Sequence, residues 1–298
     1  MIRIIKANLI FNLSILNRFY IKLLLSDFGR NLNATALKFQ TMFNFRSRVL
    51  GRSIRVYRDK TNGYYSAVEN KQTRTFENKS QNFYSYKNGF ASRDQYLVGA
   101  YLLKEVAWSK HNLIIDCGAN VGDFHFALSS IGIEHTYVAF EPSPTEHGCL
   151  SRNVPVGNCH NLGLWENNGE LDFYVSMNNA DSSFIKPESY TEIKKITTTR
   201  LDSIDLGNEK ITLLKLEAEG AELEVLKGCT GILDRIQFIS ADLGFERGGE
   251  SPLPEVTNFL SEHGFEMIKF GYPRIVALYA SKLLTSRQIS GGTVNVWE

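Results

Sequence analysis

Leu113-Ile114-Ile115-Asp116-Cys117-Gly118-Ala119-Asn120-Val121-Gly122 is the stretch on which the fold turns. Residues 113–116 form a short apolar run suited to a strand buried on both faces. Two glycines four positions apart then predict a bend, and residues 123–130 carry helical spacing. Outward from this point, strand and helix alternate. Towards the C-terminus the pattern predicts strands at 137–141, 160–164, 211–216 and 236–243, with helices at 143–153, 221–227 and 253–263. Ser251-Pro252 opens the last of these helices and Gly264 ends it. Late strands follow at 265–270, 275–280 and 293–297, and a polar, β-leaning insertion covers 170–175 and 194–200. Towards the N-terminus, a helix is expected at 94–108, with Ser92 as its cap and Tyr96, Leu97, Ala100, Tyr101 and Leu103 on its buried stripe. Such alternation predicts an α/β domain over residues 92–298, a doubly wound, mostly parallel sheet with helices on both faces. Ligands of such sheets sit at the carboxyl ends of the strands.

Asp116 stands at one such end, where a carboxylate can face a cationic ligand. Gly118, Ala119, Asn120 and Gly122 form the bend, whose glycines permit a sharp turn and a close backbone approach. The next strand ends in Phe140-Glu141-Pro142. An acid in that place can accept both ribose hydroxyls of an adenosine, at roughly the 20-residue spacing expected of a nucleotide-binding unit. A dinucleotide oxidoreductase prefers G-x-G-x-x-G for its pyrophosphate; this bend has G-x-x-x-G preceded by an acid. S-adenosylmethionine has no phosphate and carries a positive sulfonium, so it is the expected cofactor. Trp165, after the third expected strand, either stacks near the adenine or is a core tryptophan.

With these residues the chain resembles the FkbM family of methyltransferases. The D-x-G-A-N-x-G loop at 116–122 and Glu141-Pro142 fit that family. Leu164-Trp165-Glu166 with Gly169 stands for its small-residue, acid and glycine run, and Thr199-Arg200-Leu201-Asp202-Ser203 for its Thr-x-x-Asp-x element. Lys215-Leu216-Glu217-Ala218-Glu219-Gly220-Ala221-Glu222 and Val225-Leu226-Lys227-Gly228 match its longest signature. The resemblance covers residues 92–272. It implies a Rossmann-like class I methyltransferase that uses S-adenosylmethionine, usually to methylate an oxygen of a sugar, glycan or natural product. The family more often has Asp where Glu217 stands and often has Glu where Asp242 stands.

Lys215, Glu217 and Glu219 alternate at the end of one strand, and Asp242 and Glu246 close the next. If the strands are neighbours, the acids meet beside the methyl donor. Burying like charges together raises some pKa values or demands a cation. A hydroxyl acceptor gains from a general base, and Glu217 or Asp242 is the expected proton acceptor. Lys215 either neutralises the cluster, steers an acidic acceptor or is a structural partner of an acid. Glu219, Glu246 and Ser182 are expected near the substrate, although Glu219 suits a helix start equally well. So loose a cluster fixes no coordination number, and no metal site is assigned.

The chain has 298 residues and a net charge of +1, but the charge is uneven. Residues 1–60 carry 12 Lys/Arg against two Asp/Glu, and the remainder carries 21 against 30. A basic segment therefore precedes an acidic body, and it suits anionic lipid, nucleic acid or the body itself. Ile2, Ile5, Leu9, Leu13, Leu16, Tyr20 and Leu23 lie on one helical stripe. That stripe predicts a basic amphipathic helical extension over 1–52, docked on protein or lying at a membrane surface through residues 1–25. Charged and amide side chains interrupt the stretch, so a transmembrane span is not expected. Residues 53–91 predict a β-rich cap or irregular connection, with a hairpin around Thr61-Asn62-Gly63. The four cysteines make no C-x-x-C pair, so zinc and disulfide frameworks are not expected and a cytoplasmic location is. A nucleic-acid methyltransferase is the first alternative, opposed by the acidic body and by the lack of an Asn-Pro-Pro-Tyr-like or Pro-Cys motif. A non-catalytic cofactor-binding or interaction protein with the same fold is the second.

Overall fold

A computed structural model describes residues 36–155, 157–176 and 182–284. The helical stripe expected at 2–23 and the strand expected at 293–297 lie outside the described residues. The described residues fall into two compact units, one of 36–74 with 78–89 and one of 75–77 with the described residues from 90 to 284.

In the described part of the first unit, helix α1 (Ala36–Val49) buries Phe39, Phe43 and Ser47, which are spaced by four and so lie on one face. The expected hairpin forms from β1 (Arg55–Arg58) and β2 (Tyr65–Glu69), which pair antiparallel, and continues into β3 (Gln72–Phe76). The Asn44 side chain pins helix to hairpin, accepting from the Val56 N–H at 2.7 Å and donating to the Val56 carbonyl at 2.8 Å. Within residues 53–91, expected to be a β-rich cap or irregular connection, a helix also forms, α2 (Lys79–Tyr86). Phe83 and Tyr86, three apart and both buried, supply its apolar stripe among Asn and Ser residues that masked it in the sequence.

The second unit carries the alternating pattern. Its elements run α3 (Phe90–Ala100), β4 (Leu113–Cys117), α4 (Asp123–Ser130), β5 (Thr136–Phe140), α5 (Pro144–Asn153), β6 (Asn158–His160), β7 (Gly163–Leu164), β8 (Gly169–Val175), β9 (Glu192–Thr199), β10 (Ile211–Leu216), α6 (Glu222–Lys227), β11 (Ile236–Asp242), α7 (Leu253–Glu262), β12 (Phe265–Gly271) and β13 (Val276–Ser281). Seven strands form the main sheet in the order β6-β5-β4-β10-β11-β13-β12. All neighbouring pairs are parallel except β13, which runs antiparallel to β11 and β12. A dinucleotide-binding sheet places its strands in order without such an inserted reverse strand. This is a doubly wound, Rossmann-like sheet, as expected. The order reverses between β4 and β10, so the crevice belongs at their carboxyl ends.

Two expectations need correction. The helix placed at 94–108 starts at Phe90 and stops at Ala100, because Leu102 takes a left-handed φ of 57° before the short 3-10 turn Leu103–Glu105. Ser92 therefore lies inside the helix and does not cap it. The strand placed at 160–164 divides in two: β6 pairs with β5, whereas β7 pairs with β9 in a separate three-stranded sheet with β8. Asn161 fixes the break, donating its side-chain amide to the Glu141 carbonyl at 2.9 Å and the Pro142 carbonyl at 3.0 Å.

The bend after β4 is closed by the chain's own backbone. Gly118 has φ 71°, and a Cβ there would lie 2.0 Å from the Glu217 carbonyl oxygen. Gly122, with φ 86°, would place a Cβ 2.8 Å from the Val154 side chain and 2.9 Å from that of Leu150. Both glycines thus serve the packing of β4 against β10 and α5. Gly118→Ala is expected to destabilise the protein by about 3 kcal/mol or more, through a disfavoured φ plus a backbone clash. Gly132→Ala shares the positive φ (76°) but meets nothing within 4 Å, and should lose only about 1 kcal/mol. Urea unfolding of both variants checks this; equal losses would refute the clash.

Candidate functional site

Parallel register sets Asp116 of β4 beside Lys215 of β10 at the point where the strand order reverses. Alternation turns both onto the same face of the sheet, away from the apolar cluster that holds Ile115 and Leu214. Both are buried. The Lys215 ammonium lies 3.0 Å from an Asp116 oxygen and 3.0 Å from a Glu217 oxygen. It also donates to the carbonyls of Gly118 at 2.7 Å and Cys117 at 3.2 Å. Burial opposes its charge, but Asp116, Tyr101 and Glu217 outweigh burial and hold the ammonium well above the ordinary lysine range. The second Asp116 oxygen accepts from the Tyr137 hydroxyl. The carboxylate expected to face a cationic ligand therefore faces Lys215 and Tyr137.

Glu217 is gripped from three sides. Besides Lys215, it accepts from the Tyr101 hydroxyl at 2.5 Å and from the Arg274 guanidinium. Burial pushes its carboxyl up, but Lys215 and Arg274 together hold it well below the usual carboxylate range. An acid so stabilised in its ionised form is a weak base. Arg274 reaches on to Asp242, donating from Nε at 2.5 Å. Asp242 responds differently. Burial raises its pKa, Arg274 opposes and the Glu217 charge adds to the rise. Tyr101 and Arg274 were missed as site residues. Tyr101 sits in an apolar stripe that accounts for it fully, and Arg274 lies in the turn between β12 and β13, in no recognisable motif and 57 residues from Glu217.

Glu141 ends β5 one strand away. One of its carboxylate oxygens accepts the Asn120 N–H of the bend at 2.7 Å, and the other accepts the Ser143 N–H at 2.9 Å. Burial, with Glu146 adding, pushes its pKa up to about 8. The rest of the bend is also engaged. The N–H groups of Gly118 and Ala119 both donate to the Phe140 carbonyl at 3.0 Å, and that of Gly122 donates to the Ala119 carbonyl at 2.8 Å. Asn120 itself has a left-handed φ of 50°, a conformation asparagine tolerates. Pro142 follows, partly buried.

The other expected residues are more scattered. Glu219 is left-handed at φ 51° in the turn before α6, and its carbonyl accepts from Ser183 at 2.7 Å. Glu222, fully buried, closes that turn by accepting from the N–H of Ala218 at 2.8 Å. Burial pushes its pKa up to about 7. Glu246 lies exposed in the loop after β11. The Ser182 hydroxyl accepts the Ser176 N–H at 3.1 Å and shapes its own loop. Trp165 packs on Phe184, ring centroids 5.6 Å apart. Its neighbours form a staple: Arg200 holds Asp202 at 2.8 Å and donates to the Glu166 carbonyl at 2.7 Å, while Asp202 accepts from Gly231 and donates its N–H to the Gly228 carbonyl. Among the described residues no helix is long and apolar enough to cross a membrane.

The family described as Methyltransferase FkbM domain matches residues 116–267. Among curated proteins, the hexuronic acid methyltransferase AglP of Haloferax volcanii is 30% identical, over 54% of this chain and 66% of that protein. Methyltransferase sdnD of Sordaria araneosa is 28% identical, over 45% of this chain and 73% of that protein. Among solved structures, Methyltransferase FkbM from Methylobacillus flagellatus aligns with a TM-score of 0.45 and 18% identity, over 62% of this chain but 47% of that one.

Two measurements probe the site. Lys215→Met should destabilise the fold by about 3–5 kcal/mol near neutral pH, because it strands Asp116 as a buried charge. Removing the lysine raises the folded-state pKa of Asp116, so the gap from wild type should narrow as pH falls; urea unfolding at several pH values reads it. Glu141 has its folded pKa raised to about 8 from an ordinary 4.5. Its contribution to stability is therefore fully present below the ordinary value and is lost as pH rises through about 8. Glu141→Gln should flatten the decline in unfolding free energy between these limits, and an unchanged slope would contradict the assignment.

Proposed function

This chain belongs to the FkbM methyltransferase family and is a methyltransferase; from that premise we propose that it uses S-adenosylmethionine to methylate a hydroxyl oxygen of a sugar or glycan. The observation that carries the choice of donor is the engaged bend. The N–H groups of Gly118, Ala119, Asn120 and Gly122 are all spent on acceptors within the protein. A pyrophosphate would need several of them free, whereas a phosphate-free nucleoside does not. Glu141 fits such a nucleoside. Its two oxygens each hold one backbone N–H, and the carboxyl group keeps further hydrogen-bonding capacity for the ribose hydroxyls, as an acceptor when ionised and as donor and acceptor when protonated.

S-adenosylmethionine supplies an electrophilic methyl group on a positive sulfur; transfer to a hydroxyl yields a methyl ether and a thioether and releases one proton. Asp242 is the residue assigned to that proton, since burial raises its basicity while Glu217 is held ionised by two cations. Arg274 orients the Asp242 carboxylate, and Lys215 fixes the bend against β10. The sugar acceptor draws support from the hexuronic acid named for the Haloferax relative and from the hydroxyl-binding character of a carboxylate-rich site.

Calorimetry is expected to show S-adenosylmethionine binding and no NAD binding, with Glu141→Ala weakening the former by about tenfold or more. Asp242→Asn should lower kcat about 100-fold or more with cofactor affinity kept, as read by release of S-adenosylhomocysteine on a sugar panel. Comparable NAD affinity would end the donor reading.

A further inference from the structure

Tyr272 and Phe245, 86% and 67% exposed, are the two most exposed large apolar side chains among the described residues. Both lie at the carboxyl ends of the strands that carry the charged site. Phe245 is in the loop that leaves β11 three residues after Asp242, and Tyr272 is in the β12–β13 turn two residues before Arg274. Chain geometry keeps the Tyr272 Cα within about 8 Å of that of Arg274, and the Phe245 Cα within about 11 Å of that of Asp242.

Neither ring rides on a loose segment. The Leu243 N–H donates to the Ile275 carbonyl at 2.7 Å, tying the loop to the turn. Arg274 anchors the turn on Asp242 and Glu217. Arg247 anchors the far side of the loop, donating to the Gly220 carbonyl at 3.0 Å and to Glu224 at 2.9 Å. Two large rings are thus held in water beside the site by backbone and side chains that are themselves bound. Nothing in the fold is stabilised by that exposure.

We propose that Phe245 and Tyr272 are specificity-determining residues, forming an apolar platform on which the uncharged pyranose ring of the acceptor stacks beside Asp242. This rests on the sugar-methylation reading and narrows it. A pyranose has an apolar C–H face and a rim of hydroxyls. The negative face of an aromatic ring complements the polarised C–H groups, and the neighbouring carboxylates accept from the rim. The charge of the site disfavours an acidic sugar, so the proposed acceptor shares the sugar ring but not the acid group named for the Haloferax relative. Asp116, Glu217 and Asp242 share two cations, Lys215 and Arg274, so the three acids leave one surplus negative charge, which disfavours an anionic acceptor.

The full chain, saturated with S-adenosylhomocysteine, is titrated with methyl glucopyranoside, methyl galactopyranoside, methyl mannopyranoside and methyl glucuronide, and binding is read by NMR saturation transfer to the sugar C–H protons. At least one uncharged glycoside should bind, and better than the glucuronide. Tyr272→Ala and Phe245→Ala should each weaken it by about tenfold while leaving Tm and the calorimetric affinity for S-adenosylmethionine unchanged, as befits exposed rings. Unchanged sugar affinity in the variants, a preference for the glucuronide, or no sugar signal from a wild-type protein that binds cofactor each overturns the platform. A wild-type protein that fails to bind S-adenosylmethionine overturns the donor reading instead.

Discussion

The buried ammonium of Lys215 is the constraint from which the rest of the site follows. It joins the ends of β4 and β10 at the switch point by contacting one carboxylate on each side and two carbonyls of the bend. A lysine in such a place is costly to desolvate. It is tolerated because every donor it has finds an acceptor, two of them charged. The bend is consequently held under the Glu217 carbonyl, so close that only glycine fits at position 118. The position of Asn120, and hence its bond to Glu141, depends on that closure.

From Lys215 the charges alternate outward: Asp116, Lys215, Glu217, Arg274, Asp242. Alternation explains why three acids can share a largely buried site. It also separates their chemistry. Glu217 lies between two cations and is kept ionised, whereas Asp242 has one cation and an anionic neighbour and keeps more affinity for a proton. Two carboxylates of similar type thus acquire different proton affinities from position alone. Three negative and two positive groups leave a negative remainder, which suits a proposed donor carrying positive charge on sulfur.

Most of the central sheet was legible in the sequence because its strands are short, continuous apolar runs separated by clear punctuation. β10 and α4 fall at the expected residues. The failures have local causes. β6 and β7 read as one strand because the break is made by the Asn161 side chain, not by glycine or proline. α2 was hidden in a polar stretch whose apolar signal is three aromatic residues, of which only Phe83 and Tyr86 are buried. The start of α3 was misplaced because Ser92 has the chemistry of a cap without the position of one. In the candidate site, the strand ends and the glycine bend were legible, since local pattern marks them. Lys215, Glu217 and Asp242 do meet, because their strands are neighbours. The partner of Asp116 and the reach of Arg274 were not legible, since a contact between distant segments leaves no trace in either segment alone.

The segments that carry the family likeness do different kinds of work. Trp165, Glu166, Arg200, Asp202 and Gly228 converge on a knot of backbone and ion-pair contacts that ties β7, β9 and α6 together. Glu222 spends its carboxylate on the turn that precedes its own helix. These features secure the sheet and the shape of its crevice, and they carry no information about an acceptor. Under the proposed reaction, features that distinguish one acceptor from another reach solvent near Asp242, as the loop after β11 and the turn before β13 do. Both lie outside the strongest motif segments. A family likeness concentrated in the knot and the bend therefore fixes the reaction more firmly than it fixes what is methylated.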